Sequence, residues 1–221
     1  MRYNKKEQIN IWDSIASGWS GWRNQVRRDV IEFSKEWKPG KLLDIGCGSG
    51  RNLFYFAEKG FDWYGIDFSK EMINIAIENF KRKNIDVKGR LKVGDMTELP
   101  FPDESFDYII SIASFHHIPK EEQLKAIKEM KRVLKENGEM IISVWNKYSF
   151  KRIGFWFSGK ETLVPWKKKE KGVEKIYNRY YYLFSYEEMK RIIQENGFEI
   201  KKSSGRFDEN ITFLVKKLVT K

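Results

Sequence analysis

Nine residues, Leu42 to Gly50, read LLDIGCGSG, an apolar run that ends in an acid and three glycines at 46, 48 and 50. Glycine has no Cβ, so the chain can turn tightly there and a ligand can lie against bare backbone. The residues that follow, 51 to 58, have a helical pattern, which puts the loop at a helix N-terminus, where free N–H groups attract anionic or polar ligand groups. A dinucleotide fingerprint would want a further glycine at 51, where Arg51 stands. A second acid, Asp67, closes the run Tyr64-Gly65-Ile66-Asp67. Asp95 stands in Gly94-Asp95-Met96, and the run Ser111 to His117 carries a histidine pair, His116 and His117. Asp95 could also simply cap a helix or turn.

These residues share a function only if the elements around them bring them together. Pro39-Gly40 breaks the preceding helix, and from there strands and helices alternate. Strands are predicted over 41–45, 62–66, 90–93, 106–112 and 139–145, with helices over 51–58, 69–80 and 121–135. Such alternation implies an α/β, doubly wound, mostly parallel sheet, and right-handed crossovers leave few topologies. Ligands of such sheets bind beyond the carboxyl ends of the strands, where Asp44, Asp67, Asp95 and Ser111 to His117 all fall. Upstream, Asn4 and Glu7 form a capping-box pattern for a helix over 5–16, followed by a Gly/Trp-rich turn, 17–23, and a second helix over 25–37. Downstream, Ser185 and Glu188 cap a helix to 195, and two strands near 198–202 and 211–216 complete a seven-stranded sheet.

The chain has 221 residues, 41% hydrophobic and 33% charged, which suits one domain over 1–221. No apolar run approaches the about 20 residues of a membrane span, and no apolar signal core opens the chain, so no membrane and a cytoplasmic location are expected. One cysteine excludes an intrachain disulfide framework, and two histidines leave no zinc ligand set, so no metal is expected. The formal charge is +11, which favours polyanions. From Lys147 to Phe184, ten Lys or Arg stand against three Glu among eleven aromatics. This basic, aromatic insertion, 146–184, suits phosphate contact and base stacking. It equally suits a solvated excursion with a small local core.

The loop motif with Asp44 and Asp67 resembles the class I S-adenosylmethionine-dependent methyltransferases, which have a Rossmann-like fold. That resemblance implies that Asp44, Gly46, Gly48 and Gly50 cradle the methionine part of the cofactor and that Asp67 holds the ribose. It further implies that Phe68 and Ile66 flank the adenine, that Asp95 accepts its amino group beside Met96, and that Ser111 belongs to the cofactor site. SIASFHHI (Ser111 to Ile118), Val144-Trp145, LVPW (Leu163 to Trp166) and RYYYLFSYEEM (Arg179 to Met189) are similar to the tRNA wobble-uridine 5-carboxymethyl methyltransferases, as is IWDSIASGWSGWR (Ile11 to Arg23). One departure follows Trp145, where that family often has small and acidic residues and this chain has Asn146-Lys147-Tyr148.

The closer resemblance implies a tRNA substrate esterified on its wobble carboxymethyl group, a helical substrate cap over 1–37, and substrate contacts from Trp145, Lys167, Lys168, Arg179 and Tyr180. A carboxylate is ionised at neutral pH and needs positioning more than proton removal. Arg23 is the expected clamp, because a guanidinium grips a carboxylate in defined geometry. His116 is assigned to the substrate and His117 to a backbone hydrogen bond. The family also works with a small zinc-binding activator subunit at a sheet edge. The edge strand expected here, Arg90-Leu91-Lys92-Val93, alternates charged and apolar residues, which suits that partner or plain protection of the edge. A small-molecule methyltransferase acting on a quinone or fatty acid would share the cofactor half. An RNA-binding module without activity is a third reading.

Overall fold

The structure is a computed structural model that describes residues 3–21, 25–170 and 172–219. Its centre is strand β1, Lys41–Ile45, flanked on both sides by parallel partners. β2 (Asp62–Asp67) and β3 (Leu91–Val93) extend the sheet one way, and β4 (Phe106–Ile112) and β5 (Leu134–Trp145) the other. β9 (Asn210–Lys217) runs antiparallel to β5, and β8 (Phe198–Ser203) closes the far edge. The order is β3-β2-β1-β4-β5-β9-β8, seven strands as expected, with β3 at one edge. The order reverses at β1, so the crevice between β1 and β4 opens at their carboxyl ends.

Period-2 alternation divides the apolar residues between two cores. Leu42, Ile110 and Ile141 pack on one face with Phe56 of α3 (Arg51–Glu58) and Phe80 of α4 (Lys70–Arg82). Leu43, Ile109 and Ile142 pack on the other with Met130 of α5 (Lys120–Val133) and Met189 of α6 (Tyr186–Glu195). Both faces of the central strands are therefore covered, as a parallel sheet requires. The predicted caps are in place: Glu7 N–H donates to the Asn4 side chain at 3.1 Å and Glu188 N–H to Ser185 Oγ at 3.3 Å.

β5 starts at Leu134, five residues before the strand expected over 139–145, and three other elements depart further from expectation. Helix α1 runs from Lys5 to Gly21, through most of the predicted turn, because Trp12 and Trp19 pack edge to face at 5.0 Å and Trp19 meets Trp166 at 5.3 Å. Helix α2 is only Arg28–Phe33, far shorter than 25–37. The insertion forms a ten-pair antiparallel hairpin of β6 (Glu161–Glu170) and β7 (Val173–Tyr182), preceded by a 3-10 segment over Phe150–Phe155.

The hairpin holds α1 across the crevice. Gln8 donates to the Asn178 carbonyl at 3.2 Å and accepts from Tyr180 N–H at 2.8 Å, and Lys168 Nζ donates to the Ser14 carbonyl at 2.6 Å. On the opposite side Asp13 accepts from Ser69 Oγ at 2.6 Å and from Glu71 N–H at 3.1 Å, fixing α1 to the start of α4. No helix among the described residues is long and apolar enough to cross a membrane.

Candidate active site

One cleft lies beyond the carboxyl ends of β1, β2 and β4, beneath α1. Its floor is the glycine loop. Gly46 and Cys47 both donate their N–H groups to the Ile66 carbonyl, at 2.8 and 2.9 Å, so the loop is stitched to the end of β2. Gly46 has φ +74°, and a Cβ there would meet Ser114 Cβ at 2.3 Å. Gly48, at φ +53°, faces open space instead. Gly50, at φ +79°, is the residue before α3, and a Cβ on it would meet the Phe80 ring at 2.9 Å.

Asp67 holds this loop as well as facing the cleft. Its Oδ2 accepts from Gly48 N–H and its Oδ1 from Ser69 N–H, both at 2.9 Å. Each carboxylate oxygen has capacity for a second donor, which is what a vicinal diol requires. Asp44 lies one step deeper, fully buried, with neither oxygen hydrogen-bonded, and is not part of the cleft lining. Burial, together with the Asp67 charge, pushes its carboxyl up to about 8. Two acids beneath a glycine loop, one of them unpartnered, fit a cationic ligand with a diol, as S-adenosylmethionine is.

Burial raises the Asp67 carboxyl to about 6, against the pull of its two backbone donors. Both acids hold their protons in the folded state above the pH at which an unfolded carboxyl, near 4, releases them. The contribution of these two acids to the stability of the free protein therefore falls as pH rises from about 4 toward 8. Cofactor affinity should move the opposite way, dropping as pH falls through 6 and Asp67 loses its charge. Calorimetric titration with S-adenosylhomocysteine from pH 5 to 8 checks this, and a flat profile would mean that Asp67 does not hold the ligand.

At the adenine end, Ile66, Phe68, Asp95 and Met96 line the cleft together. Asp95 is already engaged: Oδ1 accepts from Thr97 N–H at 2.8 Å and Thr97 Oγ1 at 2.9 Å, and Oδ2 pairs with Lys5 of α1. Lys5 and Thr97 hold its carboxyl below the usual range against the opposing effect of burial. An adenine amino group reaching Asp95 would share it with Lys5.

The opposite end is lined by His116, His117, Trp145, Tyr181, Arg27 and Arg152. His116 and His117 lie in a 3-10 turn over Phe115–His117 just after β4, and both face the cleft. Trp145 N–H donates to His116 Nδ1 at 3.1 Å, which places the ring proton on Nε2, and Nε2 has no partner. His117 Nδ1 donates to the Tyr180 carbonyl at 3.0 Å. Burial holds His116 well below the ordinary imidazole range and lowers His117 to about 3. Both rings are neutral at pH 7. Tyr181 stacks on His116 at 5.0 Å and packs against Trp145 at 4.2 Å, and the Arg152 guanidinium covers the outer Trp145 face at 3.9 Å.

Several candidates lie elsewhere. Ser111 is behind the cleft, where its Oγ meets Ser114 Oγ at 2.9 Å, and Ser114 and Ala113 line the wall. Tyr180 points into the core, its ring 5.0 Å from Tyr3, while its neighbour Tyr181 faces the cleft. Alternation along β7 puts Arg179 and Tyr181 on one face and Tyr180 on the other, a signal the sequence carried once 173–182 is known to be a strand. Arg179 sits directly behind Tyr181. Lys167 and Lys168 are on the hairpin outside the cleft: Lys167 is exposed and paired with Glu174 at 3.1 Å, while Lys168 binds Ser14 and Glu170. Arg23 lies outside the described residues. Arg27 and Arg152 line the cleft although nothing in their local sequence marks them, and Trp12 lines it from within the run IWDSIASGWSGWR.

The family model described as a methyltransferase domain matches residues 42–138. A putative methyltransferase of Encephalitozoon cuniculi is 31% identical over 165 residues, covering 72% of this chain and 70% of that protein. The probable tRNA methyltransferase 9B of Homo sapiens is 34% identical over 166 residues, covering 74% of this chain and 34% of its own length, so the chain spans about a third of that relative. Among solved structures, a SAM-dependent methyltransferase of Methanosarcina mazei aligns with TM-score 0.69 and 22% identity, over 89% of this chain and 100% of its own. The fold and the cleft define a class I methyltransferase. The chain belongs to this methyltransferase family.

Proposed function

We propose that this methyltransferase esterifies the carboxylate of 5-carboxymethyluridine at the wobble position of tRNA. The observation that carries the reading is the chemistry of the substrate end. His116 and His117 are both held neutral and weakly basic by burial. Glu209, the carboxylate there, is paired with Lys151 and Arg152. A hydroxyl or amine nucleophile would want a base poised near neutrality, whereas a carboxylate arrives ionised. When bound, S-adenosylmethionine supplies a sulfonium methyl that a carboxylate oxygen can take with no proton moved. The chain's residues then have to orient and enclose. Trp145 and Tyr181 give the substrate end an aromatic wall, and α1 excludes water.

The likeness to a probable tRNA methyltransferase, the charge of +11 and the cationic hairpin support a polyanionic substrate. The purified protein should convert an anticodon stem-loop RNA bearing 5-carboxymethyluridine to its methyl ester, read by mass spectrometry of the nucleosides, at a rate that does not track a group titrating near 6.5, the ordinary imidazole value. Absence of the ester would sink the reading. RNA affinity should fall steeply with salt, and Lys167→Gln with Lys169→Gln should reduce the log–log slope by about 2. An unchanged slope would show those lysines to be only solvated.

A further inference from the structure

Three N–H groups near the substrate end are buried without an acceptor: Trp12 Nε1, His116 Nε2 and Arg179 Nε. Their residues are 6%, 1% and 5% exposed, so solvent does not supply the missing partners. They border one small region. The Trp12 ring is 4.8 Å from the His117 ring, which is 4.4 Å from His116 and 4.4 Å from Tyr181. Arg179 donates from Nη1 to the Tyr181 hydroxyl at 3.0 Å, and its guanidinium lies among Trp12, Trp19, Trp166 and Tyr181 at 4.9 to 5.9 Å. Among the described residues no carboxylate pairs with it.

A buried donor without an acceptor costs about 1–3 kcal/mol, and an unpaired buried cation costs more. Two such donors on the cleft wall, backed by a buried guanidinium with no carboxylate partner among the described residues, are therefore an expensive arrangement unless a ligand completes it. We infer that Trp12, His116 and Arg179 form an anion pocket that selects the substrate's carboxylate and releases the methyl ester. The inference rests on the carboxylate reading above and says which groups impose it. A carboxylate offers about four lone-pair sites and no donor, matching a pocket that presents only donors. A carboxamide would turn its own N–H groups on them. The ester keeps acceptor oxygens but loses the charge that Arg179 compensates, so the reaction weakens the enzyme's hold on its product. Trp12 and His116 line the cleft, and Arg179 acts through its charge from behind Tyr181.

The test compares two anticodon stem-loop RNAs, one with 5-carboxymethyluridine and one with the carboxamide at the same atom, in the presence of S-adenosylhomocysteine. The parent should prefer the carboxylate by about ten- to a hundredfold. Trp12→Phe removes one donor together with part of a buried ring, and Arg179→Met removes the charge. Both should shrink the preference at unchanged cofactor affinity, with kcat/KM for the carboxylate RNA falling mainly through KM. Arg179→Lys should restore part of it, and Trp12→Phe is read beside its own thermal melt and cofactor affinity, so that a folded Trp12→Phe decides the matter even if Arg179→Met folds poorly. A parent that methylates the RNA while Trp12→Phe and a folded Arg179→Met keep the full preference would overturn the pocket and leave the proposed function standing. A parent that forms no ester would overturn the proposed function itself.

Discussion

Asp67→Ala is expected to weaken S-adenosylhomocysteine binding by about ten- to a hundredfold, since hydrogen bonds to a charged acceptor are worth about 1.5–3 kcal/mol. It should also lower the melting temperature of the free protein, by on the order of 5 °C for a chain of this size. The second effect follows from the two backbone donors that Asp67 satisfies. Gly48 N–H and Ser69 N–H, each 2.9 Å from a carboxylate oxygen, would both lose their acceptor. With them goes the tie between the glycine loop and the start of α4. Relief of the buried charge works the other way, because Asp67 holds its proton more tightly folded than unfolded. Two lost acceptors outweigh that relief. Calorimetry and a thermal melt read the two effects separately. Unchanged affinity would place the ribose elsewhere, and unchanged melting would mean the loop keeps its shape without this carboxylate.

The cofactor half of the cleft was legible in the sequence because its determinants are local. Gly46, Gly48 and Gly50 all take positive φ, a conformation that glycine alone adopts freely, so their spacing describes the backbone directly. Asp67 is the last residue of its strand, and the strand is visible as an apolar run. The substrate half depends on contacts between distant segments. Nothing near Ser17 to Gly21 says that the helix continues there; that follows from Trp19 meeting Trp166, far along the chain. The run Lys167 to Lys169 reads as a charged loop, yet it is the strand that pins α1 through Ser14. Without that strand in view Tyr180 and Tyr181 look equivalent, and the one chosen is the one that points into the core. The Lys5 pairing with Asp95 likewise joins a helix at one end of the chain to a strand end near its middle.

Gly46→Ala should be among the most damaging single substitutions, and its cause is open to a direct test. The new Cβ would lie 2.3 Å from Ser114 Cβ and 2.8 Å from Ser114 Oγ, at φ +74°. Left-handed backbone costs a residue with a Cβ about 1–2 kcal/mol, and forcing atoms into a packed site costs about 1–3 kcal/mol more. Ser114 cannot easily give way. Its Oγ donates to the Ile45 carbonyl at 2.8 Å and meets Ser111 Oγ at 2.9 Å, and the preceding Ala113 is itself held at φ 55°. Ser111, which does not touch the cleft, thus matters by fixing the residue that does. If the clash dominates, Ser114→Gly should destabilise the parent by losing that hydrogen bond, yet cost less, or even restore stability, in the Gly46→Ala background. A double-mutant cycle measured by denaturant unfolding, with cofactor binding as a second reading, should show coupling of about 1 kcal/mol or more between the two positions. Simple additivity would assign the damage to the backbone conformation alone, and the wall at Ser114 would then play no part in setting the loop.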